Sequence, residues 1–322
     1  VSPDAPVAGL LLPNGDRLRV GSYDVTPVAL EAEKYSLPPS RGTAIGSYGP
    51  QSYVCYRHDE LPTELQGVPS ARLTSGSKEW VRERARLDDP KLLRHTAEGV
   101  FPVTWWGDVS LLSDGALLAV VYPCRIEGDN FGPCHCGCYR SEDLGYTWQL
   151  QGRLLYRPDF TSDPCASKRD GFTEPASLVL PDGEIVAILR TTDGNGDGPL
   201  YLCRSSDEGK SWSEPTVLRE YGVLPHLLRL GNGVLVMSTG RPGADLTFSF
   251  DGRGETWSER YPLVPIVGPG TQDDSCGYTS LLAVDDETFL VTYSWFVKPT
   301  SDGRTRKAIY VRRVQVKRPS ES

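Results

Sequence analysis

Three cysteines and a histidine crowd into the stretch GPCHCGCYR, as Cys134, His135, Cys136 and Cys138. Thiolate and imidazole are ligands for zinc or copper, so this spacing raises the question of a metal site. On a strand, however, Cys-x-Cys-x-Cys puts all three sulfurs on one face, and tetrahedral sites draw their second pair of ligands from elsewhere. Disulfides, among these neighbours or to Cys124 or Cys165, are therefore the expectation, ahead of free thiols and of metal. The even count of eight cysteines fits disulfides in an exported protein and buried thiols in a cytoplasmic one, with export slightly favoured. The only imidazoles available as acid–base groups are His58, His95, His135 and His226.

Whatever chemistry the chain performs must be held by short strands. An apolar run broken by a tight turn recurs as VAGLLLPNGDRLRVGSY, DVSLLSDGALLAVVY, PASLVLPDGEIVAILR, PHLLRLGNGVLVMSTGR and TSLLAVDDETFLVTYS. Asn-Gly and Asp-Gly between β-rich runs signal two-residue hairpins, because such turns need positive φ. The turn positions are Gly15, Gly115, Gly183, Gly233 and Glu287, separated by 100, 68, 50 and 54 residues. The first interval has room for a further unit built on QSYVCYRHDE and KEWVRERARL, and residues 64–98 could instead form an inserted loop or short helix. A second motif repeats as SEDLGYTW, SSDEGKSW and SFDGRGETW. Its Asp and Ser or Thr suit a turn's backbone, its Gly suits a positive φ, and its Trp is expected to be buried between neighbouring sheets. Repeats of this kind predict one domain over residues 1–322, an all-β, six-bladed β-propeller, the arrangement that covers the edges of several four-stranded sheets. Trp105 and Trp106 precede a hairpin at a blade edge, where sugar-stacking residues can sit, although a core role is expected of at least one of them.

Composition narrows the function. The net charge of −8 and pI near 5.2 give no footprint for nucleic acid, and no apolar run is long enough for a membrane helix. The basic segment RTRKAIYVRRVQVKR alternates apolar with charged residues and predicts a strand with a solvated face.

The second motif resembles the Asp-box of the sialidase superfamily, and the resemblance extends over residues 161–318 through an ordered set of Glu174, Arg190, Arg241 and Tyr278. The resemblance implies a retaining exo-glycosidase that releases a terminal acidic sugar from a glycan without a cofactor. In it Tyr278 is the nucleophile, Glu174 its base and Asp24 the acid, with Asp59 the rival for the acid. Arg190 and Arg241 then grip the substrate carboxylate. A carboxylate nucleophile would be repelled by the sugar's own carboxylate, which is why a phenol suits this chemistry. The pattern departs from the family in two linked places. Asp4 stands where the family has its first arginine, and Ser294 stands where a glutamate supports that arginine. Two alternatives therefore stay open. One is a related hydrolase of neutral or uronic sugars of the exo-arabinanase type, or a polysaccharide lyase. The other is a non-catalytic propeller that binds glycans or proteins.

Overall fold

The computed structural model describes residues 9–21, 28–29, 36–45, 52–96, 100–101, 105–126, 128, 133–191, 198–266 and 277–318. Among these the regular elements are strands, interrupted only by short 3-10 turns. They divide into two compact units: Val1–Arg157 with Asp170–Thr173 and Ser205–Ser213, and Pro158–Arg169 with Glu174–Arg204 and Glu214–Ser322.

In the second unit the sheets follow the repeats in chain order. Phe172–Val179, Ile185–Thr191, Leu200–Ser205 and Thr216–Arg219 form one, and Val223–Arg229, Leu235–Gly240, Ala244–Ser249 and Tyr261–Val264 the next. Thr279–Ala283, Thr288–Pro299 and Thr305–Gln315 form a third, three-stranded sheet. The last strand is the basic segment, and it alternates half-buried with exposed residues as its pattern predicts. The first unit is less regular. Trp106–Leu111, Leu117–Ile126, His135–Ser141 and Thr147–Leu154 pair in chain order. The outer strand Thr147–Leu154 then continues, in parallel, onto Val81–Asp88.

Residues 64–98 are therefore neither loop nor helix for most of their length. They contribute the strands Val68–Leu73, Val81–Asp88 and Leu92–Thr96. Val81–Asp88 buries Ala85 and Leu87 while its arginines stay outside, a period-two pattern that its high charge conceals. Val68–Leu73 pairs both with Val81–Asp88 and with Arg17–Val20, completing the sheet of the first hairpin.

The hairpin turns differ from the expected two-residue form. At each of the four Gly turns the Gly N–H bonds the carbonyl three residues back, as in Gly183 to Leu180 at 2.9 Å. The Gly itself has φ of 86–90°. Each turn is thus a type I turn followed by a left-handed glycine, the three-residue hairpin loop.

The three Ser–Asp–Gly–Trp segments share one hydrogen-bond frame. Ser141, Ser205 and Ser249 each donate to the Asp two residues on, at 2.7–2.9 Å, and accept from the Gly N–H at 2.8–3.0 Å. Their tryptophans differ. Trp148 is fully buried among Leu18, Leu87, Leu117 and Tyr139. Trp212 and Trp257 are only half-buried, each donating its indole N–H to the segment's own Gly carbonyl at 3.1 Å. Burial of all three, the expectation above, holds for Trp148 alone.

Candidate active site

The second unit brings Glu174, Arg190 and Tyr278 into direct contact. Glu174 lies on Phe172–Val179 and Arg190 on the next strand, Ile185–Thr191. Their spacing of sixteen residues is what the Leu180–Glu184 hairpin requires to set them side by side. Arg190 Nη1 donates to Glu174 Oε2 at 2.6 Å, with both side chains almost wholly buried. The same oxygen accepts the backbone N–H of Leu224 at 3.1 Å. The second oxygen, Oε1, faces the Tyr278 hydroxyl at 3.5 Å, longer than the 2.6–3.2 Å typical of a working nucleophile–base pair. Tyr278 is 40 % exposed, whereas Glu174 and Arg190 are almost wholly buried.

These positions are related by the repeat. Glu174, Leu224 and Tyr278 each stand nine residues before their turn positions Gly183, Gly233 and Glu287, and Trp106 stands nine before Gly115. Glu174 and Leu224 both precede a proline and both have φ of 41°. A residue before proline is kept out of the right-handed helical region, and the left-handed conformation adopted instead costs about 1–3 kcal/mol in a non-glycine residue. In Leu224 this conformation accompanies the N–H bond to Glu174.

Arg241 has its backbone beside that of Tyr278. It follows Leu235–Gly240, and its Cβ would lie 3.2 Å from any Cβ added at Gly277, the residue before Tyr278. A Cβ at Gly240 would fall 2.2 Å from the Gly277 carbonyl oxygen. Two glycines thus allow the backbones carrying Arg241 and Tyr278 to pass in near contact. Neither glycine stands out in the sequence, and nothing in side-chain type marks the Leu224 N–H, although both follow once the repeats are aligned.

Asp24, the expected acid, and Asp4 lie outside the described residues. Asp59, the rival acid, belongs to the first unit, in a cleft of ≈ 460 Å³ lined also by His58, Arg84, Arg86 and Asp89. Its carboxyl is held below the ordinary carboxylate range, chiefly by its hydrogen bonds from Arg57. A carboxyl kept ionised is a poor proton donor at neutral pH. Burial, with Arg94 beside it, pushes His58 down to about 3, so His58 is neutral and enclosed.

Trp105 is corrected from sugar platform to core. It is 4 % exposed and packs on Tyr139 and Trp148 at ring distances of 4.8 and 5.8 Å, with no face left for a ligand. Trp106 is half-buried, 6.2 Å from Tyr122. The cysteine expectation is corrected as well. Cys124, Cys134, Cys138, Cys165 and Cys203 are in no disulfide, and Cys276 lies outside the described residues. Burial pushes Cys124 and Cys138 up to about 12, so these thiols are inert packing groups. Among the described residues no cluster of three His, Cys, Asp or Glu is arranged to hold a metal ion.

No family model and no curated protein matches the sequence. Solved structures do resemble it. A protein of unknown function from Dyadobacter fermentans superposes with a TM-score of 0.60 at 20 % identity, over 94 % of this chain and 74 % of that one. The Hadza microbial sialidase Hz136 superposes with a TM-score of 0.50 at 20 % identity, over 78 % of this chain. The match takes in 49 % of that sialidase, so this chain corresponds to about half its length. At such identities the likeness is one of architecture, and the chain has the sialidase-like propeller fold.

Proposed function

We propose that this chain is a retaining exo-glycosidase, built as a single six-bladed propeller, that removes a terminal acidic sugar from a glycan. The observation that carries the reading is the Tyr278 hydroxyl facing Glu174 Oε1, the carboxylate oxygen that Arg190 and Leu224 do not hold. Glu174 takes the phenol proton as Tyr278 Oη attacks the anomeric carbon. The bond to the leaving oxygen breaks, that oxygen receives the proton of Asp24, and a glycosyl–tyrosine forms. Water then attacks the same carbon and gives its proton to the Asp24 carboxylate, the bond to Tyr278 Oη breaks as Glu174 returns the phenol proton, and the sugar leaves with retained configuration. Arg241 supplies a guanidinium for the substrate carboxylate.

One observation favours a second reading. Arg190 is bonded to Glu174, and Asp4 stands where the resemblance places a further arginine. A clamp of several guanidiniums is thereby reduced, which suits a neutral sugar such as an arabinofuranoside.

A panel of 4-nitrophenyl glycosides tests both readings. Release from the sialoside supports the first and release from the arabinofuranoside the second. Absence of release from any member of the panel removes the enzyme reading in favour of a glycan-binding propeller.

A further inference from the structure

We infer that Arg190 is a positioning residue for the Glu174 base, acting on the protein's own carboxylate, not on the substrate's. The inference rests on the reading of Tyr278 and Glu174 as nucleophile and base. A glutamate side chain has three rotatable bonds, and a free carboxylate can present either oxygen. Here one oxygen is pinned twice, by Arg190 Nη1 at 2.6 Å and by the Leu224 N–H at 3.1 Å. The two donors arrive from different sheets, Ile185–Thr191 and Val223–Arg229. With Oε2 fixed, Oε1 is directed at Tyr278. Leu224 holds its bond to Glu174 while in a left-handed conformation that is unfavourable for a leucine. The Arg190 and Glu174 side chains are 4 % and 6 % exposed. A guanidinium this buried presents little surface to a substrate carboxylate, and its Nη1 is already committed to a charge-assisted bond with Glu174.

Kinetics of Arg190→Met and Arg190→Lys with the 4-nitrophenyl sialoside and arabinofuranoside separate the two roles. A positioning role predicts that Arg190→Met lowers kcat on the order of 10²-fold on whichever substrate is turned over, with KM within about threefold of wild type. Arg190→Lys should recover part of that loss. The double variant Glu174→Gln/Arg190→Met should be no slower than Glu174→Gln alone, because Arg190 acts only through Glu174. A substrate clamp predicts the reverse: KM rising for the sialoside with kcat retained, which overturns the inference. A crystal structure of Arg190→Met, or of Arg190→Lys if the first does not fold, gives a readout independent of turnover. The Glu174 carboxylate should swing out of reach of Tyr278, and an unmoved carboxylate overturns the inference. If the wild-type protein cleaves neither glycoside, the proposed function fails, and the crystallographic result alone decides the positioning role.

Discussion

Among the described residues, each unit has a tyrosine hydroxyl set against a carboxylate that an arginine also holds, and the fates of the two groups differ. In the first unit the Tyr139 hydroxyl donates to Asp89 Oδ2 at 2.9 Å, while Arg153 and the Lys91 N–H occupy Oδ1. Tyr139 is 1 % exposed, and burial raises its phenol well above the ordinary range. Both Asp89 oxygens are occupied and burial keeps the phenol neutral, so the group is part of the core. In the second unit Arg190 and Leu224 also saturate one carboxylate oxygen, but the other faces a phenol that is 40 % exposed. The same three residue types thus give a buried structural tie in one place and a partly exposed arrangement, the one proposed to react, in the other. Solvent access and one uncommitted oxygen make the difference.

The largest expected effect tests that contrast directly. Tyr278→Phe should reduce glycoside turnover by on the order of 10³-fold or more, since the attacking oxygen is lost, while the circular dichroism spectrum stays unchanged. Tyr139→Phe should do the opposite. Turnover per folded molecule is retained, and chemical denaturation shows a loss of about 1–3 kcal/mol from the Asp89 oxygen left without its donor. Equal kinetic effects from the two substitutions would abolish the distinction between the groups.

The tryptophans of the repeated turn give the next test. Trp148 sits in the first unit's core with no exposed surface, whereas Trp257 is half-buried in the second. Trp148→Ala should cost about 3–5 kcal/mol, the range for a buried large aromatic, and Trp257→Ala distinctly less. Urea midpoints at constant m-value measure both, and a larger loss at Trp257 would contradict the packing described here.

The smallest effect compares the aspartates of the same turns. Asp207 is pulled down to about 2, first by the Ser211 hydroxyl and then by the Ser211 N–H. Burial alone would raise Asp251, but bonds from Ser249 and Thr256 outweigh it and hold it lower still. Because each folded value lies below that of the unfolded chain, their stabilising contribution is complete above about pH 4. It is lost as the pH falls from there toward 2. Thermal melts between pH 5 and 2 should therefore decline less steeply for Asp251→Asn than for wild type, with Asp207→Asn between them. Parallel curves for all three proteins would show that these carboxylates are not linked to folding.

Periodicity and turn chemistry were enough to read much of this from the residues. Alternating apolar runs around Gly183 and Gly233 can bury one face only as hairpin strands, and the Ser, Asp and Gly of the repeated turn satisfy one another within a few residues. The sixteen-residue separation of Glu174 and Arg190 is likewise local, since a hairpin of fixed length must place them side by side. Where charge masks the alternation, as in Val81–Asp88, the residues leave a further β unit and an inserted loop or helix both open, because the buried face amounts to Ala85 and Leu87. The cysteine cluster misled for a related reason. Spacing along a strand says which sulfurs share a face but not whether a partner lies opposite, and burial made them packing groups. What only the tertiary structure decided is which groups are open and which are spent. Tyr139 and Tyr278 look alike in sequence, as do Trp105 and Trp106, and their accessibility depends on strands far away in the chain. The hold on Glu174 by a backbone N–H fifty residues away has no side-chain signature, since any residue at position 224 other than proline carries that donor. Its direction is set by the backbone conformation and by the packing of one sheet on the next.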